Sequence, residues 1–278
     1  MIRRGIRCHI IGTDVQEMRK PLLEVILASD KRKKVLLLLR DEAKEMVTIL
    51  KSLNTTRQAI LPQIRILENH HLINHYKDTY EITVVGKLII EEMVPLVGTL
   101  EVFDKDIDYW GGRELDFIPS GLLQRIHDLS PYKIFEPQMS SMHHPNAELI
   151  ETTASSKRMC AVTNIFHPNF MDMFALWIQN EVEITMILSG GFLENLKTHS
   201  RSDVQQLMAN RNIRFYLYDK PFNSLYFALN DHCILLAMLR KEGWYDERAL
   251  ISYSSTALEW GKDLFEHYMK SSTPITET

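Results

Sequence analysis

The chain reads as a two-part protein of the α+β / α/β class. An N-terminal winged helix-turn-helix, mostly α with a β-wing, precedes a C-terminal α/β domain with a mixed sheet. Three observations predict this. Residues 43–82 run as helix, sharp turn, helix and short hairpin. From Tyr132 onward, short β-rich runs alternate with helical segments, the pattern of strands and helices packed in layers. Charge is divided between the parts: the formal net charge is −4, but residues 1–77 sum to +7 and the rest to −11. A basic N-terminal part on an acidic body is the layout expected when one domain alone meets nucleic acid.

Residues 1–17 have no clear period and are expected to form an ill-defined arm, with Met18 a second candidate start. A short apolar helix is predicted over residues 21–28. Ser29 then caps a helix over residues 30–40, whose Val35, Leu36, Leu38 and Leu39 point to a core. Its basic start offers Lys31, Lys33 and Lys34 for phosphate contact, against the alternative of a solvated face. In the next helix Met46, Ile49, Leu50 and Leu53 share one face at helical spacing, and Asn54 ends it. Thr55 is the expected N-cap of the second helix of the pair, with Gln58 completing a T-x-x-Q capping box. Ala59, Ile60, Ile64 and Leu67 then face inward, leaving Thr56, Arg57, Gln58 and Arg65 outside. Pro62 falls within this helix and would cost ~3 kcal/mol in an ordinary one; a distorted first turn is the expected accommodation. The runs Ile73–Tyr76 and Thr79–Ile82, joined at Lys77 and Asp78, form the wing.

Such a motif presents the start of its second helix to the DNA major groove. Arg57 can bond guanine O6 and N7 in bidentate fashion, and Gln58 can do the same to adenine. Thr55, Thr56, Lys77 and Arg65 suit phosphate, which a helix N-terminus also favours. The bland alternative is a helical hairpin whose polar residues are merely solvated.

Past the wing, Thr83 is expected to cap a long helix. Ile89, Met93, Leu96, Leu100 and Phe103 recur at steps of four and three, a heptad-like seam that can pack on the chain's own body or, as expected here, pair with the same helix of a second chain in a homodimer, with Pro95 and Gly98 marking a bend. Residues 104–129 form a hinge punctuated by Gly111, Gly112 and Pro119. Its Tyr109, Trp110 and Phe117 are expected to dock on the C-terminal domain, and a short helix is expected over residues 122–129. The domain boundaries drawn are thus 1–17 (arm), 18–83 (winged helix), 84–129 (dimerisation helix and hinge), 130–270 (α/β domain) and 271–278 (tail). Within the α/β domain, strands are placed at residues 132–135, 158–162, 183–188, 214–218, 225–229, 234–239 and 250–253. Helices fall at 146–155, 168–180 and 202–210, and Ser255 caps a last one over 257–269.

The runs LEVILASDKRKKVLLLL, TRQAILPQIRILENHHLI, TLEVFDKDIDYWGGRELDFIPSGLLQRI and SSTALEWGKDLFEHYMKSSTPI resemble the archaeal winged helix-turn-helix regulators of the methanogenesis regulatory protein family. The resemblance extends over nearly the whole chain from Met18 and includes Pro62. It implies a transcription regulator that joins an N-terminal DNA-binding domain to a family-specific C-terminal regulatory domain and acts as a dimer on double-stranded DNA. It supplies no ligand.

The late order of strand, Asn230-Asp231-His232, strand and Ser254-Ser255 before a helix resembles the sheet of phospholipase-D-like domains in outline. There a His, a Lys two residues on and a downstream Asp together perform phosphoryl transfer, the His as nucleophile and the Lys neutralising charge. Here Ile234 stands where that Lys would, so no catalytic residue is assigned and no enzyme is expected. An unknown small-molecule effector is expected instead. Pockets in α/β domains open at the carboxyl ends of strands, with polar groups among aromatics. His167, Trp177, Asn230, Asp231, His232, Tyr253 and Trp260 are the candidates, each Trp being otherwise plain core. The alternative function is a small-molecule-binding or degenerate phosphodiesterase-like α/β protein whose N-terminal helices mediate protein contacts. Three cysteines without a CxxC pair exclude a disulfide framework and a zinc module and fit a reducing cytoplasm. No compact Cys/His pattern calls for a metal, and no cofactor is expected. No apolar run reaches the ~20 residues that span a bilayer.

Overall fold

The computed structural model describes residues 20–136, 146–166, 169–222 and 226–276. The arm over residues 1–17 and His167 lie outside them. The chain divides into two compact units, Met1–Val94 and Pro95–Thr278.

In the first unit, α1 (Leu22–Leu27) and α2 (Asp30–Leu39) precede a two-residue strand β1 (Lys44–Glu45), α3 (Met46–Ser52) and α4 (Arg57–Asn69). The hairpin β2 (Ile73–Tyr76) and β3 (Thr79–Ile82) follows, and α5 (Val84–Asp104) begins. The helix spacing is realised directly: Met46 and Ile49 of α3 and Ile60, Ile64 and Leu67 of α4 are all within 1% of full burial. They meet Val35, Leu36 and Leu39 of α2 in one core. β3 lies between β1 and β2 in a three-stranded antiparallel sheet, with Tyr76 opposite Thr79 across the turn. Asn54 ends α3 in the left-handed region (φ 43°), which a short polar side chain tolerates.

Two sequence expectations, the Thr55 cap and its capping box, are corrected at α4, whereas the distorted first turn is found. The helix is capped in position by Thr56, not Thr55, and no side chain makes the cap bond. The reason is that the Thr55 amide donates to Leu50 O (3.1 Å) and so closes α3, leaving Thr56 as the extended residue. The T-x-x-Q box therefore does not form. Pro62 sits within an unbroken α4 on its exposed side, while Thr56 O accepts from both Ala59 and Ile60 (3.1 Å each). The first turn is thus tightened toward 3₁₀ geometry.

α5 runs from the first unit into the second and contains Pro95. Thr83 caps it: its hydroxyl accepts from the Gly86 amide (3.0 Å). In the second unit follow α6 (Ile107–Gly111), α7 (Ser120–Leu123), a 3₁₀ turn at Ile126–Leu129, β4 (Tyr132–Phe135), α8 (Ala147–Ala154), β5 (Arg158–Thr163), α9 (Phe170–Gln179) and β6 (Glu183–Ser189). Then come α10 (Gly190–His199), α11 (Arg201–Met208), β7 (Ile213–Tyr218), β8 (Tyr226–Asn230), β9 (Ile234–Ala237), β10 (Ala249–Ser252), α12 (Ser255–Met269) and β11 (Thr273–Pro274).

One eight-stranded sheet has the order β11-β7-β6-β5-β8-β9-β10-β4. β5, β6 and β7 are parallel; every other neighbouring pair is antiparallel. Alternate side chains feed two core layers. Ile187 and Leu236 join the layer under α12 and the hinge, whereas Met186 and Leu235 join the layer under α9, α10 and α11. Both layers are filled, so the sheet reads as runs of apolar residues, as sheets covered on both faces do. α12 lies against the sheet at Gly261, where an added Cβ would come within 2.7 Å of Ile234 Cδ1.

The hinge aromatics Tyr109, Trp110 and Phe117 are buried in the first of these layers. A polar clasp reinforces them. Arg113, 1% exposed, binds Asp246 in bidentate fashion (2.7 and 2.8 Å), and Arg248 binds Asp106 (2.7 Å) at the start of α6. Three further expectations are corrected. The stretch over residues 122–129 forms two separate short turns. The last helix is capped by Ser254, whose hydroxyl accepts from Ala257 N (3.1 Å), rather than by Ser255. Finally, the stretch expected as a tail contains β11, paired with β7.

Candidate nucleic-acid interface

The start of α4 and the tip of the wing form one polar edge of the first unit. Thr56, Arg57, Gln58 and Arg65 are exposed, and Thr55 is half-buried. They are exposed because α4 spends its other face on Ile60, Ile64 and Leu67. The wing turn puts Lys77 in the left-handed region (φ 56°), with its side chain exposed. Asp78 fastens this turn to the start of α3, its carbonyl accepting from Met46 N (3.0 Å). Its carboxylate meets the Arg57 guanidinium at 2.8 Å. The edge therefore brings Thr56, Arg57, Gln58 and Lys77 to neighbouring elements, at a helix N-terminus whose dipole favours anions.

The α2 lysines divide. Lys31 and Lys34 are exposed, while Lys33 pairs with Asp30 (2.8 Å). Between them Arg32 turns inward, donating to Gln63 Oε1 on α4 (2.8 Å), which Ser29 Oγ also reaches (3.2 Å). α2 thereby braces α4 from behind. Sequence reasoning missed this brace, because a basic run gives no sign of which member points inward. It also missed Tyr76, which stands 76% exposed beside Lys77 at the end of β2.

The seam on α5 is redistributed. Met93 is buried in its own chain, Phe103 packs on the core of the second unit and Ile89 is half-buried. Leu96 and Leu100 are exposed as the seam requires. The other exposed apolar side chains of the helix are Val84, Val85 and Leu88. The inward positions besides Met93 are Ile90 and Val102, each one residue away from a position read off the heptad.

The residues proposed for an effector do not converge. Trp177 is buried in one layer of the sheet, donating Nε1 to Ile150 O (3.2 Å); Trp260 is buried in the other, donating to Leu122 O (2.9 Å). Asn230 shapes the β8–β9 turn: its Oδ1 accepts from His232 N and Cys233 N (2.8 Å each), and its Nδ2 donates to Thr152 and Thr153 (2.9 and 3.0 Å). Asp231 accepts from Lys157 N (2.7 Å). His232 is exposed with Nε2 3.5 Å from Ser155 O, and Tyr253 bonds Glu148. These are the fittings of a turn and two cores. The two cysteines among the described residues are withdrawn from solvent as well: burial pushes the Cys160 thiol up to about 11 and raises that of Cys233 also. Two clefts among the described residues open at the amino ends of β6 and β7, beside Glu183, Arg211 and Arg214, and beside β11 at Met208, Tyr216 and Ile275. No helix among the described residues is long and apolar enough to cross a membrane.

The profile described as the N-terminal domain of methanogenesis regulatory protein FilR1 matches residues 21–101, and that of its middle domain matches residues 142–271. Methanogenesis regulatory protein FilR1 of Methanothrix harundinacea (strain 6Ac) is 24% identical over 273 residues, 95% of this chain. The chain spans 60% of the length of that relative. Among solved structures, the archaeal chromatin protein TrmBL2, described as showing a novel mode of DNA binding, is similar with a TM-score of 0.41 at 13% identity, over 88% of this chain and 94% of that one. Nuc of Salmonella typhimurium, a phospholipase D family member, is similar with a TM-score of 0.37 at 10% identity, over 52% of this chain and 98% of that one.

Proposed function

We propose, for a chain that belongs to the methanogenesis regulatory protein FilR1 family, the role of a sequence-specific DNA-binding transcription regulator acting in the cytoplasm. The observation that carries this is the exposed edge of Thr56, Arg57 and Gln58 beside the wing, backed by the basic balance of the first 77 residues. α4 enters the major groove, Arg57 and Gln58 read base edges, and Lys77, Arg65 and the α2 lysines hold phosphates. The acidic second unit performs no catalysis and senses a small-molecule effector, which must bind two states of the protein unequally to shift them.

The test is binding to DNA selected from a random pool, followed by fluorescence anisotropy between 50 and 200 mM salt. Affinity through several phosphates falls steeply over that range; a flat salt response would indicate that the N-terminal helices dock on protein instead. Arg57→Ala is expected to cost about 1–3 kcal/mol on the selected site and much less on random DNA. Equal losses on both would reduce Arg57 to a phosphate contact.

The regulator acts as a homodimer through α5, which suits a two-fold operator. The exposed stripe favours a seam at Val85, Leu88, Leu96 and Leu100 over one that includes Met93 and Phe103. The double variant Leu88→Glu/Leu96→Glu is expected to be monomeric in analytical ultracentrifugation and to bind a two-half-site operator at least about tenfold more weakly, through loss of linked half-site binding. A dimer that survives both charges would place the interface elsewhere.

A further inference from the structure

We infer that Asp78 on the wing is a positioning residue that sets which base Arg57 accepts, an inference that rests on the DNA-binding role proposed above. The two side chains are 21 residues apart in sequence and meet at 2.8 Å between Nη2 and Oδ1. Each side chain is about half exposed, 56% for Arg57 and 53% for Asp78, so the pair adds little to folding stability. Its place needs another account. An acidic group on an edge that faces phosphates opposes binding to any DNA, specific or not.

What the carboxylate supplies is direction. Asp78 is not free to follow a mobile arginine. Its backbone is pinned by Met46 N at 3.0 Å, and by the hairpin that pairs Tyr76 with Thr79 around the left-handed Lys77. Arg57 is the first residue of α4, so its Cα is fixed too. A long side chain held at both ends has lost much of its rotamer freedom before DNA arrives. With Nη2 engaged by Asp78, one edge of the guanidinium is occupied and the remaining donors are offered as a fork from the other edge, which suits the two acceptors of guanine and not the donor–acceptor pair of adenine. Off the correct base, Arg57 stays on Asp78 and the carboxylate still repels the backbone. Asp78 thus weakens wrong binding as well as orienting right binding, the two halves of specificity.

The experiment compares wild type, Arg57→Ala, Asp78→Asn and Asp78→Glu on a selected site and on the same site with each base replaced. The position where Arg57→Ala loses discrimination identifies the base that Arg57 reads. At that position Asp78→Asn is expected to lose about tenfold or more of the preference for guanine, while binding random DNA as tightly as wild type or tighter. Asp78→Glu keeps the charge and moves the carboxylate by one methylene, so it is expected to keep the weak random binding and still lose part of the preference. Thermal melting of each variant separates these effects from unfolding, and the glutamate variant retains the test if the asparagine variant melts early. If Asp78→Asn tightens selected and random DNA by the same factor, the carboxylate is a repulsive charge and no more, and the inference fails. If wild type shows no salt-steep affinity for DNA at all, the DNA-binding role itself fails, which is a distinct result.

Discussion

Alanine at Gly86 is expected to destabilise the first unit by about 3–5 kcal/mol, more than any surface change considered above. A Cβ there would stand 2.1 Å from Leu72 O and 2.8 Å from Ile82 Cγ1. The first of these is a backbone oxygen, which cannot rotate aside. The same carbonyl accepts from Thr83 N (3.0 Å) and Thr83 Oγ1 (3.1 Å), and Thr83 Oγ1 accepts from Gly86 N (3.0 Å). Relieving the clash therefore disrupts the cap of α5 and the end of the wing together. At about 4–8 °C per kcal/mol for a domain of this size, calorimetry should show the first unit melting at least about 12 °C earlier. Alanine at Gly121, where a Cβ meets nothing within 4 Å, is the control. Equal melting of the two variants would mean that α5 can retreat from Leu72 without loss.

Arg113→Ala should cost the second unit about 3–5 kcal/mol, the usual penalty for leaving one partner of a buried ion pair behind. Arg113 holds Asp246 through two bonds and Met238 O through a third (3.2 Å), with its guanidinium 4.2 Å from the centre of the Tyr109 ring. Arg240 reaches Asp246 only at 3.5 Å, so it replaces little. Burial by itself would raise the Asp246 carboxyl, but the Arg113 guanidinium overrides it and holds the group below the ordinary carboxylate value. A depressed carboxyl contributes stability that is present above its unfolded pKa and is lost as pH falls through the folded one. Urea melts should therefore show the largest gap between wild type and Arg113→Ala near neutral pH, narrowing below about pH 4. A gap that stays constant down to pH 2 would assign the loss to the stacking on Tyr109 rather than to the charge.

The elements that the chain announced were those with one strong local signal. α3 and α4 were legible from apolar spacing, the wing from two alternating runs around Lys77-Asp78, and the sheet strands from β-branched and aromatic clusters. The errors have particular causes. At both Thr55-Thr56 and Ser254-Ser255 two adjacent hydroxyl residues compete for one cap, and the choice depends on how the preceding element closes, which is a tertiary matter. α10 begins with Gly190-Gly191, which reads as a breaker although Ser189 caps it (3.4 Å to Phe192 N). α5 is apolar on more than one face, so a heptad could be drawn through Met93 and Phe103 as readily as through Leu88. Only packing decides that Ile90, Met93 and Val102 face inward. The candidate DNA edge was legible as residue types but not as a pair: nothing in sequence connects Arg57 with Asp78. The candidate effector residues stand out in the sequence only by type, near strand ends. Those among the described residues divide between a turn, two opposite cores and, for Tyr253, the surface, because Trp and Asn serve packing and turn closure as readily as recognition.

The last strand bears on how the protein stays apart from its neighbours. β7 is covered by β6 on one side and on the other by two residues, Thr273 and Pro274, with Ile275 N adding a bond to Phe215 O (2.9 Å). Pro274 carries no amide hydrogen, so β11 cannot template a further strand at its own position. At the opposite margin β4 is four residues long and bears the exposed Lys133, which discourages edge-to-edge pairing. A form shortened before Thr273 would leave the rim of β7 open to another chain. It would then aggregate by a route that has nothing to do with α5, and a sedimentation profile of such a form would report on the uncovered rim rather than on the regulator's own assembly.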